Sequence, residues 1–308
     1  MTSIKKNNFV SSIKVNSALL KNLIYIKKNY SAKSHKQYLL NSKQFRNFIK
    51  SCEKKIKYRK KKAIVLSFNY NKKYSIDPFL MKNITNAASE ILGSLIVQNN
   101  EGDKTVFVYD RDRDLSMHKG ARYHQTREGG SIHTDNVNVS SKWDYMILSC
   151  LSSGLVGGET ILVNAKNIYE KLNKKFKLAK RTLQKKFYWE KRGLSKSFYS
   201  APILKINNKG EPEFRYLRPY LVSAHIKKGK PLSDKQLYAL DVLDALLESS
   251  DNQYRFYMKP GDLIIALDSQ VLHGRTSFSD HHGARSIFSN ENSSLPLKRT
   301  MVRTWIKI

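Results

Sequence analysis

The chain has 308 residues, 40% of them hydrophobic, which is enough apolar material for a substantial core and too much for a disordered polymer. No run approaches the roughly eighteen apolar residues of a membrane span, and Met1-Thr2-Ser3-Ile4-Lys5-Lys6-Asn7-Asn8 lacks the apolar centre of a secretory signal, so a cytoplasmic protein is expected. The formal net charge of +31, from 56 Lys and Arg against 25 Asp and Glu, would attract polyanions of any kind. The lysines are nevertheless spread along the whole chain, often beside asparagine, with no zinc-finger spacing or RNA-recognition signature, so compositional bias is preferred to nucleic-acid binding. Cys52 and Cys150 have no close Cys or His partners and read as inert thiols.

Residues 1–60 are rich in Lys, Asn and Ser. Leu19-Leu20 with Leu23-Ile24, and Phe45 with Phe48-Ile49, fall at helical spacing, which predicts a helical N-terminal extension packed on a core. After the charged run Lys54 to Lys62, a strand is expected from Ala63 to Phe68 and a helix from Asp77 to Leu92, with Asp77-Pro78 as its start and Gly93 as its stop. Further strands are expected at Leu95 to Gln98 and Thr105 to Tyr109.

The central block opens with Gly129 to Asn136, an alternating, strand-like run. It continues through Tyr145 to Leu151, a glycine turn containing Gly157-Gly158, and Thr160 to Val163. Helical stretches follow from Ala165 to Leu183, then a turn at Asn207-Asn208-Lys209-Gly210 within mixed material, then a helix from Ser233 to Leu247. Pro260-Gly261-Asp262 turns into a strand at Leu263 to Leu267, and a last strand runs from Thr300 to Ile306. With no internal repeat and no proline-rich linker, a single domain is expected, mainly β with helices, as a sandwich or barrel.

On a strand, residues i and i+2 face the same way, so His133 and Asp135 are expected to point into one cavity. One further imidazole, for which His273 is the candidate, would complete the 2-His-1-carboxylate face that holds Fe(II) with positions open. By itself this is a cheap pattern in a protein with eight histidines, and a hydrogen-bonded strand pair explains His133 and Asp135 equally well.

Five short motifs in order change the balance: His133-Thr134-Asp135, Gly157-Gly158-Glu159-Thr160, Pro260-Gly261-Asp262, Leu272-His273-Gly274-Arg275 and Arg299-Thr300-Met301-Val302-Arg303-Thr304-Trp305. Together they resemble the taurine dioxygenase-like (TauD/TfdA) family of Fe(II)- and 2-oxoglutarate-dependent oxygenases, over roughly Tyr123 to the C-terminus. The resemblance implies a double-stranded β-helix (jelly-roll) core with helical insertions. It makes His133, Asp135 and His273 the iron ligands, and gives Thr160 and an arginine the distal carboxylate of 2-oxoglutarate. The family's usual spacing selects Arg285 as that arginine; the local context of the closing strand selects Arg299, which is preferred, with Asp280 to Leu297 as an inserted loop. Arg303 and Asn136 are expected on the substrate side, and Tyr123, His124, Gln125, Thr126, Arg127 and Asn138 are candidates for the pocket or for turn hydrogen bonds. Arg275 is equally a structural ion-pair partner, and His281 and His282 are read as incidental.

The implied activity consumes 2-oxoglutarate and O₂ and hydroxylates, or desaturates, a C–H bond of a small anionic molecule such as an amino acid or carboxylate. Retention of Asp135 argues against halogenation. The alternatives are a nucleic-acid oxidative demethylase and a non-enzymatic basic nucleic-acid-binding protein.

Overall fold

The computed structural model describes residues 8–58, 61–69, 76–112, 114–116, 121–135, 137, 143–191, 195, 197–289 and 295–308. It begins with β1 (Val10–Lys14) and three helices, α1 (Ser17–Asn29), α2 (His35–Asn41) and α3 (Lys43–Tyr58). Next come β2 (Ala63–Ser67), α4 (Pro78–Leu92), β3 (Ser94–Leu95), β4 (Thr105–Val108) and β5 (Gly130–His133). β6 (Tyr145–Ser152), β7 (Val156–Gly157) and β8 (Thr160–Asn164) lead to α5 (Ala165–Lys175) and α6 (Lys177–Leu183). Two hairpins, β9 (Lys186–Glu190) with β10 (Phe198–Pro202) and β11 (Leu204–Ile206) with β12 (Pro212–Phe214), precede α7 (Arg218–Lys227) and α8 (Asp234–Glu248). The chain closes with β13 (Gln253–Phe256), β14 (Asp262–Leu267), β15 (Val271–Arg275), β16 (Phe278–Ser279) and β17 (Thr300–Lys307).

The molecule is a mixture of helix and strand built on two principal sheets. The larger has the order β1-β2-β14-β6-β17-β3, with β4 also paired to β17; the smaller is β13-β8-β15-β5. Side-chain alternation sets the layers. On β6, Tyr145, Ile147 and Leu151 join a core with Leu19, Phe45 and Ile84 from α1, α3 and α4. The intervening Met146 and Cys150 face the other way, into a second core shared with Leu162 and Val271 of the smaller sheet. The far face of the smaller sheet, through Ile161, Val163 and Leu272, packs on Ile168, Leu183, Leu221 and Leu243 of α5 to α8. Helices therefore cover the outer face of each sheet, and the space between the sheets is left for the site.

Local chemistry accounts for the helix boundaries. Asp77 accepts a hydrogen bond from the Leu80 amide at 2.9 Å and Pro78 occupies the first helical position, as the sequence predicts for α4. At α8 the Gln236 side chain returns to the Ser233 amide at 3.0 Å, closing a capping box. The expected strand from Leu95 to Gln98 is cut to β3, because the Gln98 amide bonds Asp103 O at 2.7 Å and turns the chain. Among the described residues, no helix is long and apolar enough to cross a membrane.

Candidate active site

β5 and β15 lie side by side and antiparallel, with His133 and His273 as direct cross-strand partners, their rings 4.5 Å apart. Each imidazole Nε2 lies 3.8 Å from an oxygen of Asp135, His133 from Oδ1 and His273 from Oδ2. One ligand atom from each of the three buried residues falls within 4.8 Å of the other two. The strand that was expected to carry both His133 and Asp135 ends at His133. Beyond it the amides find partners outside any ladder: Thr134 N–H donates to Tyr216 O at 2.8 Å, and Asp135 N–H to Asp268 Oδ1 at 2.9 Å. Asp135 reaches the imidazoles from this bend rather than by strand alternation. Asp268 is buried in the turn between β14 and β15, so the connection that starts the His273 strand also fixes the bend.

Hydrogen bonds orient the three groups. His133 Nδ1 lies 2.7 Å from Ser131 O, which selects the tautomer with a proton on Nδ1 and a lone pair on Nε2. Asp135 Oδ1 accepts from Arg303 Nη1 at 2.7 Å and Oδ2 from Trp305 Nε1 at 2.9 Å. Burial works to raise the Asp135 pKa, but Arg303, the two imidazoles and the Trp305 bond outweigh it and hold it at about 2. Burial, followed by His273, pushes His133 down to about 3; burial also lowers His273, and lowers His124 well below the ordinary imidazole value with help from Arg303 and Arg122. Neutral imidazoles beside an ionised carboxylate are the metal-binding forms of these side chains.

Next to the cluster, between the sheets, is a cavity lined by His133, His273, Thr160, Arg299, Met146 and Leu148, among others. Arg299 is 3% exposed, and its Nη1 has no hydrogen-bond partner among the described residues. Burial, and then Arg275, depress its pKa to about 10. The Phe278 ring lies 4.8 Å from the guanidinium, and the turn before β8 passes against it. There Gly158 has φ +72°, and a Cβ at that position would sit 2.7 Å from Arg299 Nε, so only glycine lets backbone and guanidinium approach this closely.

The other candidates separate by what they touch. Arg285 bridges to Leu297 on the segment before β17 and is not among the residues lining the cavity. Arg275 is buried, bonds the carbonyls of Thr126 at 2.6 Å, Tyr123 at 3.2 Å and Glu128, and so ties residues 123–128 over the site. Tyr123 and His124 line the cavity, whereas Gln125 and Thr126 make turn hydrogen bonds and Arg127 pairs with Asp110. Arg303, besides holding Asp135, donates through Nε to Gln98 Oε1 at 3.1 Å. Asn136 and Asn138 lie outside the described residues. His281 and His282 are exposed. Sequence reasoning did not single out Gln98, Arg122, Tyr220 or Asp268; each is isolated in the chain and gains its place only through long-range packing.

The sequence matches the model of the "Taurine catabolism dioxygenase TauD, TfdA family" over residues 82–304, a span holding the three clustered groups and both Arg299 and Arg303. The chain belongs to this family. Within the TauD/TfdA relatives, it is 25% identical over 222 residues to FR-33289 synthase of Streptomyces rubellomurinus (strain ATCC 31215), covering 70% of this chain and 61% of that protein. The chain thus spans less than two thirds of that relative's length. Among solved structures, it superposes on asparagine oxygenase in complex with Fe(II), 2S,3S-3-hydroxyasparagine and succinate with a TM-score of 0.67, at 14% identity over 96% of this chain and 93% of that one. The non-heme iron oxygenase OrfP in complex with Fe and alpha-ketoglutaric acid gives 0.62, at 14% identity over 96% and 94%. At these identities the likeness is one of fold.

Proposed function

We propose that the chain is an Fe(II)- and 2-oxoglutarate-dependent dioxygenase, built on a double-stranded β-helix (jelly-roll) core, that hydroxylates or desaturates a C–H bond of a small anionic molecule. The observation that carries this reading is the unpartnered Nη1 of buried Arg299 in the same cavity as the His133, Asp135 and His273 cluster. A buried guanidinium with a vacant donor is costly unless an anion fills the place, and the distal carboxylate of 2-oxoglutarate is such an anion. Thr160, buried on β8 and lining the same cavity, is assigned the second hydrogen bond to it.

Two neutral imidazoles and one carboxylate suit Fe(II) and leave coordination positions free. When bound there, Fe(II) with 2-oxoglutarate and O₂ supplies the oxidising chemistry, and the co-substrate leaves as succinate and CO₂. The chain's own residues do the positioning. Arg303 and Trp305 fix the carboxylate plane of Asp135, Ser131 fixes the His133 tautomer, and Arg299 sets which end of the co-substrate lies deep. Arg303 and Asn136 are assigned to the substrate side. The substrate is taken as an amino acid or another carboxylate, a reading supported by the hydroxylated amino acid in the asparagine oxygenase complex.

Adding Fe(II) and 2-oxoglutarate without oxygen is expected to give a visible metal-to-ligand absorption band, and a screen of amino acids and small carboxylates to reveal stimulated succinate formation. Asp135→Ala is expected to abolish both. Full substrate-coupled turnover by that variant would overturn the assigned site.

A further inference from the structure

Resting on that oxygenase reading, we infer that the substrate is an organic acid without a free ammonium group, and that its anionic group is held by Arg122. The open side of the cluster is lined by Gln98, Arg122, His124, Leu217, Tyr220 and Arg303 beside the metal-binding residues. Among the described lining residues the one carboxylate is Asp135, and both its oxygens are already bonded, to Arg303 and Trp305. The adjoining cavity contributes Arg275 and Arg299 and no acid. Residues 113, 117–120, 136 and 138–142, which flank the site in the chain, contain no Asp or Glu at all. Two other buried acids are committed, Asp110 to Arg127 and Asp268 to the Asp135 amide.

An α-ammonium brought into this space would be stripped of water and would meet guanidinium groups with no carboxylate to pair with, which is among the most costly arrangements in a protein interior. An anion meets the reverse situation. The charge of Arg303 is matched by Asp135 at 2.7 Å, whereas Arg122 takes part in no ion pair among the described residues. With Fe(II) and the 2-oxoglutarate dianion in place, and Asp135, Arg299 and Arg303 counted, the cluster is net positive before Arg122 is added. Leu217 and Tyr220 supply an apolar wall for a carbon skeleton, and Gln98 and a neutral His124 supply hydrogen bonds without charge. The class selected is a carboxylate, sulfonate or phosphonate whose nitrogen, if it has one, is acylated. This departs from the free amino acids named in the solved relatives.

The test is a binding titration of the protein loaded anaerobically with Fe(II) and 2-oxoglutarate, read from perturbation of the metal-to-ligand band rather than from turnover. The probes are butanoate, propane-1-sulfonate, propylphosphonate, 2-aminobutanoate, N-acetyl-2-aminobutanoate and butylamine. At least one acid lacking an ammonium is expected to perturb the band at concentrations where 2-aminobutanoate and butylamine do not, and comparison of the three anions identifies the head group. Arg122→Gln is expected to weaken that binding about tenfold or more, the value of a charge-assisted hydrogen bond, and Arg122→Lys to restore part of it. Three outcomes overturn the inference: 2-aminobutanoate binding as tightly as its deaminated and acetylated counterparts, none of the acids binding although the band forms, or Arg122→Gln leaving the preference unchanged. Failure of the band to form before any probe is added would instead remove the oxygenase reading beneath it.

Discussion

Replacing Trp305 by Phe removes one hydrogen bond and little else. The indole Nε1 donates to Asp135 Oδ2 at 2.9 Å while its ring stacks on Trp143 at 4.0 Å, and a phenyl ring keeps the stack. Trp305→Phe is therefore expected to fold normally by circular dichroism and to bind Fe(II) roughly 10–100-fold more weakly by anaerobic calorimetry, as for the loss of an outer-shell partner; undiminished affinity would mean that Arg303 alone orients the carboxylate. The buried imidazoles make a second, pH-dependent prediction for the metal-free protein. His124, His133 and His273 have folded pKa values below the ordinary imidazole value, so the unfolded chain takes up protons first as the pH falls. Their contribution is intact above about pH 6.5 and is lost below it, at about 1.4 kcal/mol per pH unit for each histidine. The depressed Asp135 adds its own loss only lower, as the pH falls toward 2. Urea unfolding at pH 7 and pH 5 checks the slope, and equal stabilities would refute it. At this scale the motifs exposed His133, Asp135, His273 and Arg299, because each lies in a short signature. Asp268 was invisible, since its partner is the amide of a residue far away in the chain.

Among the elements, the turn ahead of β8 shows how backbone geometry serves the co-substrate end of the cavity. At Gly158, φ is +72° and the space where a Cβ would stand is filled by Arg299 Nε. Gly158→Ala is expected to destabilise the fold by about 1 kcal/mol or more through the left-handed backbone alone. It is also expected to displace the guanidinium and raise the KM for 2-oxoglutarate at least about tenfold, the value of one charge-assisted bond. Metal affinity, measured separately by calorimetry, should change little, because the three ligands lie on β5, its following bend and β15. A variant that lost metal and co-substrate affinity together would show that the turn supports the whole site. Strands with strict alternation, such as β6, β14 and β17, were legible in the sequence, as were helices with clear caps, such as α4 and α8. The β9–β10 hairpin and α7 fell in material read only as mixed. β9 and β10 owe their pairing to each other, and α7 has buried residues without a clean apolar stripe, though Pro219 in its first turn was a usable start signal.

For the whole molecule, the question left by the charge is how so basic an N-terminal stretch forms part of a folded protein. Residues 1–62 hold eighteen Lys and Arg and a single acid, Glu53, which is buried and paired with Lys50 and Lys57. The apolar stripe of this layer turns inward instead: Leu19, Leu23, Phe45 and Ile49 share one core with Leu263 and Val302 of the larger sheet. If the helical layer and the sheets are one cooperative unit, damage to the layer must be felt at the site on the other face of the sheet. Phe45, fully buried, is the place to inflict it: Phe45→Ala is expected to cost about 3–5 kcal/mol through lost burial and the cavity left behind. The chain's three tryptophans, Trp143, Trp189 and Trp305, all lie outside residues 1–62, so their fluorescence reports the sheets while far-ultraviolet circular dichroism reports all helices. In denaturant, the two signals of Phe45→Ala should shift together to a lower midpoint with an unchanged slope. An early loss of helix signal, with the tryptophan transition left in place, would show instead that the basic layer folds apart from the oxygenase core.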